Sequence, residues 1–200
     1  MPARATRAIP PARLPSARLS LRSAAYADAK DLERLLEDPE VTRFLPPARR
    51  NEPGREFVRR VRQRAREGSG VTFVVRTRGG GQFLGFVAVF GIQRDVGRCE
   101  IGYAMSRAEW GHGYATEAVG AVVDWTFVSL RLRRIDAQVV GGNAASAAVL
   151  RRLGFRGEGT RREAVLDRGT FVDLLEFGLL ASDRPDPAPG ARSRAGRRGG

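Results

Sequence analysis

The sequence predicts one α+β domain in which helices flank a mixed β-sheet. Three observations lead there. The length, 200 residues, leaves room for one ordinary domain and its tails. The hydrophobic patterns run β-α-α-β-β-β-α-β-α-β-β, so an uninterrupted meander precedes strands that alternate with helices. Strands on either side of a helix usually pair in parallel, whereas a meander pairs antiparallel, and together they make a mixed sheet.

Residues 17–22 alternate, with Leu19 and Leu21 on one side, and read as a short strand. Residues 27–38 set Leu32, Leu35 and Leu36 on one helical face, with Asp28 near the start and Pro39 expected to stop the helix. A second helix over residues 53–67 turns Phe57, Val58 and Val61 inward beneath an arginine-rich outer face, and ends at Gly68–Gly70. Three stretches rich in β-formers follow at 71–76, 82–92 and 98–105. Gly79-Gly80-Gly81 and residues 93–97 separate them as hairpin turns. Residues 114–127 are helical by the spacing of Ala118, Val122 and Trp125, residues 134–140 form a strand, and residues 144–153 form a helix ended by Gly154. Residues 155–166 and 170–180 make a last hairpin around Asp167-Arg168-Gly169.

Residues 1–15 and 183–200 are Pro/Arg and Pro/Gly/Arg tracts too poor in apolar surface to offset ordering entropy. They are expected to be a disordered basic arm and a disordered tail around a domain at 16–182. The net charge is +13, and residues 1–22 with 182–200 hold +8 of it. Lys30 is the only lysine, so the excess is arginine in a chain rich in Ala and Gly, the pattern of a GC-rich coding sequence. The tails lack the interleaved aromatics that stack bases, which disfavours a nucleic-acid partner. The longest strongly apolar stretch, residues 83–90, contains Gly85 and is far shorter than the roughly 18 residues of a membrane span. The acid-poor N-terminus is broken by Pro2, Pro10, Pro11 and Pro15 and is followed by no apolar targeting segment. Cys99 is the sole cysteine and His112 the sole histidine, which excludes a disulfide framework, argues against a metal site and fits a reducing cytoplasm.

The segment richest in chemistry is the strand Glu100-Ile101-Gly102-Tyr103-Ala104-Met105, a loop, and then Trp110-Gly111-His112-Gly113-Tyr114-Ala115-Thr116-Glu117-Ala118. Glycines at 111 and 113 let the backbone approach a ligand, and the orphan N–H groups of the helix start point to the same place, which makes an anion site suited to phosphate. A dinucleotide-binding reading fails because the strand follows a meander and neither a third glycine nor an acidic strand end completes the fingerprint. A P-loop fails for want of Gly-Lys-Ser/Thr.

Over about residues 17–180 these motifs resemble the GNAT N-acetyltransferase superfamily, and within it the RimJ/RimL-type branch. Asp38 to Thr42 is similar to the Asp-Pro-Glu-Val-Thr segment after that branch's first helix. Trp110 to Ala118 resembles its pyrophosphate motif, Asn143, Ser146 and Leu153-Gly154-Phe155 its Asn-x-x-Ser and Leu-Gly-Phe elements, and Glu158 to Arg162 its Glu-Gly-x-x-Arg. The resemblance implies a splayed sheet with acetyl-CoA as co-substrate in the V between the fourth and fifth strands. The pyrophosphate is then expected on backbone N–H groups of Gly111, His112, Gly113, Tyr114 and Ala115, with Thr116 in the same turn. Pantetheine is expected to pair with the backbone of Tyr103, Ala104 and Met105, and Asn143 to touch the cofactor further along. No metal is expected.

The implied reaction is direct transfer of acetyl to a primary amine, with the acceptor a protein N-terminal α-amine of ribosomal-protein type. A small amine (amino acid, polyamine or antibiotic) is the alternative, and a weakly catalytic CoA-binding or RNA-associated protein is the alternative of another class. The chain is expected to be a monomer or homodimer. Glu100 is the candidate base, against an ordinary strand-edge carboxylate. Many superfamily members carry a tyrosine donor five residues before the Gly-Phe phenylalanine, but here that position is Leu150. Ser146 becomes the candidate that polarises the sulfur, against a serine serving the helix N-terminus. His112 sits at the phosphate end, away from the thioester, and Cys99 reads as a small buried hydrophobe. Trp110 and Tyr114 either stack on ligand or pack on the sheet; Asp173 either binds the amine or caps the hairpin. Arg55, Arg59, Arg60, Arg62, Arg64 and Arg66 are expected to form a solvated face, and if they line the acceptor groove they disfavour a cationic acceptor.

Overall fold

The computed structural model describes residues 7–46, 49–167 and 169–184. Its strands are β1 (Arg13–Pro15), β2 (Leu19–Ser23), β3 (Gly70–Thr77), β4 (Phe83–Gln93), β5 (Arg98–Met105), β6 (Arg134–Val140), β7 (Arg156–Asp167) and β8 (Thr170–Leu180). The helices are α1 (Ala29–Glu37), α2 (Pro39–Thr42), α3 (Gly54–Glu67), α4 (Tyr114–Leu130) and α5 (Ala144–Arg152). One mixed sheet runs β1-β2-β3-β4-β5-β6-β8-β7, and β5–β6, joined across α4, is its parallel pair. The final hairpin folds back so that β8, not β7, lies beside β6.

Two helical layers bury the two faces. Leu19, Leu21, Phe73, Val87, Ile101 and Ile135 pack with Val119, Val122 and Leu150 under α4 and α5. Val74, Phe86 and Ala104 pack with Leu32, Leu36, Phe57 and Val58 under α1 and α3. Gly54 lets α3 come down onto α1, since a Cβ there would collide with the Ala29 carbonyl. Asp28, fully buried, joins the α1 end of that layer to the sheet. It accepts hydrogen bonds from Arg22 (2.7 and 2.6 Å), the Ala25 N–H (2.9 Å) and Arg76 (3.1 Å).

Two expectations are corrected and one is extended. Residues 1–15 do not act as a disordered arm throughout: β1 pairs with β2, Ile9 is buried, and its N–H donates to the Ala65 carbonyl at 2.8 Å. Prolines suit such an edge strand because its outer N–H groups have no partner to lose, and Ile9 gives the segment an apolar anchor that composition averages away. Residues 1–6 and 185–200, the outer parts of both tails, lie outside the described residues. Pro39 stops α1, which ends at Glu37, and it also opens α2 at its first position, where a missing N–H costs nothing, behind Asp38, whose carboxylate accepts from the Glu40 N–H at 2.9 Å. The arginine face is also mixed: Arg55, Arg59 and Arg66 are exposed, but Arg60, Arg62 and Arg64 are half-buried.

Candidate active site

β5 and β6 pair at only three positions, Arg98–Arg134, Cys99–Ile135 and Glu100–Asp136. Beyond them the strands part around a crevice of about 930 Å³ lined by both strands, by the start of α4, by α5 and, on the opposite face, by α3 and the segment before it. Alternation along β5 sends Ile101, Tyr103 and Met105 toward α4 and α5, and Glu100, Gly102 and Ala104 toward α1 and α3. The crevice therefore has two sides, one carrying the glycine turn and one carrying Glu100.

On the first side, Gly111 and Gly113 adopt φ of +81° and +76°, a left-handed conformation that favours glycine. Gly113 is the N-cap of α4, and no side chain caps that helix, so the first-turn N–H groups of Tyr114, Ala115 and Thr116 meet the crevice without a side-chain partner. Glu117 is the acidic group in that turn and would repel a phosphate. Its carboxylate is turned away and neutralised: Ser16 Oγ donates at 2.6 Å, the Arg18 N–H at 2.7 Å and Arg18 Nε at 2.7 Å. These bonds outweigh the effect of burial and hold Glu117 below its ordinary pKa. Arg18 also donates to the His112 carbonyl at 3.1 Å and lies over the Tyr114 ring at 4.7 Å. The turn is thus stapled to the β1–β2 connection. No local pattern marks Arg18, whose partner is 99 residues away.

Tyr103, Ala104 and Met105 line the gap, but the Met105 carbonyl already accepts from the Trp110 indole at 2.8 Å. Asn143 caps α5, its Oδ1 accepting from the Ser146 N–H at 3.1 Å. Asn143 thereby takes the capping role, and the Ser146 hydroxyl faces β5 instead, 2.9 Å from Tyr103 Oη. Tyr103 Oη also lies within donating distance, 3.1 Å, of the Ser146 carbonyl. Burial pushes the Tyr103 phenol up to about 12, so it stays protonated at physiological pH. Leu150, where many relatives of the motif hold a tyrosine, is fully buried in the core.

On the second side, Glu100 is half-buried beside Asp136 and opposite Phe90. Burial first, then the charges of Asp136 and Glu176, raise its pKa, while Arg98 opposes them. No described residue forms a hydrogen bond or ion pair with it. Its carboxylate is thus a proton acceptor without a competing donor.

The remaining candidates fall outside the centre. His112 is exposed, stacked on Tyr114 at 5.7 Å, and does not line the crevice. Burial, with Asp136 and Glu100 nearby, pushes the Cys99 thiol up to about 12, so it is no nucleophile. Asp173 accepts from the Glu163 N–H at 2.9 Å across the β7 irregularity, a hairpin role.

A glycine turn at an uncapped helix start, opening into a gap between parallel strands, matches what comparison with known proteins returns. Residues 18–156 match the family model described as the acetyltransferase (GNAT) domain. The chain belongs to the GNAT family. An uncharacterised N-acetyltransferase, p20, from Bacillus licheniformis is 33% identical over 165 residues, 82% of this chain and 93% of that protein. Mycobacterium smegmatis RimJ, solved with CoA-disulfide, has a TM-score of 0.77 at 26% identity and covers 88% of each chain. Vibrio cholerae spermidine N-acetyltransferase, solved with CoA and spermine, has a TM-score of 0.75 at 20% identity, over 83% of this chain and 97% of its own. This GNAT protein is an acetyl-CoA-dependent N-acetyltransferase of RimJ/RimL-like fold. Its uncapped α4 start and unpaired strand edges fit a phosphate-bearing, amide-bearing co-substrate. No described helix is long and apolar enough to cross a membrane.

Proposed function

We propose that the acceptor is the α-amine of a protein N-terminus, that Glu100 is its base, and that Ser146 serves the leaving sulfur. The observation that carries the reading is the placement of the partnerless Glu100 carboxylate on one side of the β5–β6 gap and the Tyr103–Ser146 hydroxyl pair on the other. Acetyl-CoA supplies the activated acyl group. Glu100 takes one proton of the ammonium, the nitrogen forms its bond to the acetyl carbon, the carbon–sulfur bond breaks to a thiolate that accepts a hydrogen bond from Ser146 Oγ, and the second nitrogen proton passes to that thiolate, leaving the amide and the CoA thiol. Backbone N–H groups at Gly111, Gly113, Tyr114 and Ala115 and the edges of Tyr103 to Met105 would hold the cofactor, with Asn143 supporting α5 beside it.

For a peptide acceptor the support is twofold. RimJ is among the similar structures at 26% identity. The β7–β8 hairpin also lines the crevice with Val165 and Asp167, which gives contact surface beyond the amine itself. Incubation with acetyl-CoA and Ala- or Ser-starting peptides, read by thiol release, should show turnover; no turnover with any such peptide overturns the peptide reading. A small amine is the second reading. The arginines along the crevice narrow it, because a polyamine would meet like charge.

A further inference from the structure

The acceptor side of the crevice carries more positive charge than its neighbours neutralise. Arg49, Arg50, Arg60 and Arg64 all line it. Arg50 is committed to the protein, donating to Asp167 at 2.6 Å and to the carbonyls of Thr42 and Leu45 at 3.1 and 3.2 Å. Arg60 holds Glu52 in a two-pronged pair at 2.8 Å for each bond, and Arg49 shares the same carboxylate at 3.7 Å. Arg64, half-buried and lining the same crevice, has no hydrogen-bond or ion-pair partner for its guanidinium among the described residues. Burial first, then the charges of Arg60 and Arg49, lower its pKa from the ordinary value, and the charges of Glu52 and Glu67 offset this only in part. Among the described residues Glu52 is the one carboxylate within ion-pairing distance of any of these three guanidinium groups; it serves Arg49 and Arg60, and Arg64, which it does not reach, lines the cavity. Such a group binds an anion in planar, two-pronged fashion.

α3 packs against β3, where Thr72 pairs with Ala88 and Ala88 with Gly102, so the helix that carries Arg60 and Arg64 stands two strands from the strand that carries Glu100. At about 4.8 Å per strand the separation is roughly 10 Å, and an extended peptide advances about 3.3 Å per residue. Resting on the amine-acetylating reading above, we infer that the acceptor is a primary amine bearing a carboxylate, bound by Arg64 with Arg49 while the amine faces Glu100. In a peptide that carboxylate is an acidic side chain at the second or third residue.

The test uses the full chain saturated with CoA and three C-terminally labelled peptides that begin Ser-Glu-Glu, Ser-Gln-Gln and Ser-Lys-Lys, with binding read by fluorescence anisotropy. The acidic peptide should bind at least tenfold tighter than the neutral one, and Arg64→Gln should erase the difference. Arg66→Gln removes the same charge from an exposed site on the same helix and should leave the preference intact. Arg49→Gln should reduce it, which gives a second readout should Arg64→Gln unfold by circular dichroism. Equal affinity for the acidic and neutral peptides overturns the inference, as does equal loss in Arg64→Gln and Arg66→Gln. Thiol release with the same peptides and with free glutamate separates the two readings. Acetylation of all peptides without acidic preference sinks the inference and keeps the function. Acetylation of glutamate but of no peptide keeps the anion site and makes the acceptor a small molecule.

Discussion

Replacing Glu100 with Gln removes the proposed base while keeping the side chain's size and its place beside Asp136. At pH 7 an α-amine of pKa about 8 is neutral in roughly a tenth of its molecules. A protein that merely waited for the neutral amine would therefore sit about tenfold below its limiting rate, and a passive proton sink could recover no more than that. A base that takes the proton as the bond to carbon forms contributes about 10²–10⁴. Kcat/KM for the acceptor should accordingly fall by about 100-fold or more in Glu100→Gln. KM for acetyl-CoA should hold, because the residues expected to bind it lie on the other side of the gap. The pH profile gives the sharper readout. Burial and the charges of Asp136 and Glu176 lift Glu100 above its ordinary value, so the wild-type rate should fall as pH drops through that raised pKa. Asp136→Asn should move the acid limb to lower pH. The assay is initial-rate thiol release between pH 5 and 9 with the best acceptor. A Glu100→Gln enzyme within about threefold of wild type across that range would mean that free neutral amine alone reacts, and the assignment of the base would be wrong.

Other expectations follow from the same geometry. Arg18→Ala frees the glycine turn and leaves Glu117 unneutralised beside the α4 start, so KM for acetyl-CoA should rise severalfold with kcat nearly kept, as steady-state kinetics will show. Tyr103→Phe removes the partner 2.9 Å from Ser146 Oγ; kcat should fall severalfold, about what one lost hydrogen bond of ~1 kcal/mol allows, and no limb below pH 10 should be lost with it, since the phenol lies near 12. Asp28→Asn breaks a buried ion pair to Arg22 and Arg76 and should cost about 3 kcal/mol, or a Tm lower by roughly 6–12 °C in calorimetry. The hydrogen bonds from Arg22, Ala25 and Arg76 outweigh burial and depress the Asp28 pKa. Its stabilisation is therefore complete above about pH 4, the unfolded value, and is lost as pH falls through the lower folded value; the variant's stability curve should lack that acid-side decline.

Much of this fold could be read from local pattern, because its strands and helices obey the periodicities that bury one face at a time. The bounds of β5, β6 and β8 match the hydrophobic runs, and Gly68 ends α3 with φ of +71° as a helix-terminating glycine should. What local pattern missed has a common physical cause: partners far apart in sequence. Ile9 belongs to the core only because Ala65 receives its N–H, and β8 lies beside β6 only because a twelve-residue β7 folds outside it. The site divides in the same way. The glycine turn is contiguous, so its backbone geometry is written in a nine-residue motif, whereas the hydroxyl pair joins Tyr103 to Ser146 across 43 residues.

Arginine is where composition misleads most. Counting charge places Arg18 and Arg22 with the basic N-terminus, yet one neutralises Glu117 beside the glycine turn and the other holds the buried Asp28. Their charge is spent inside the domain, which weakens any argument for nucleic acid from the net +13. Arg64 is the opposite case: one of six arginines on a helix that looks uniformly solvated, it lines the crevice with no ion-paired carboxylate among the described residues. A guanidinium reads the same in sequence whether it staples, neutralises or waits for an anion. Only the position of the nearest carboxylate separates these roles, and that position is set by the sheet register and by the gap that opens after Glu100.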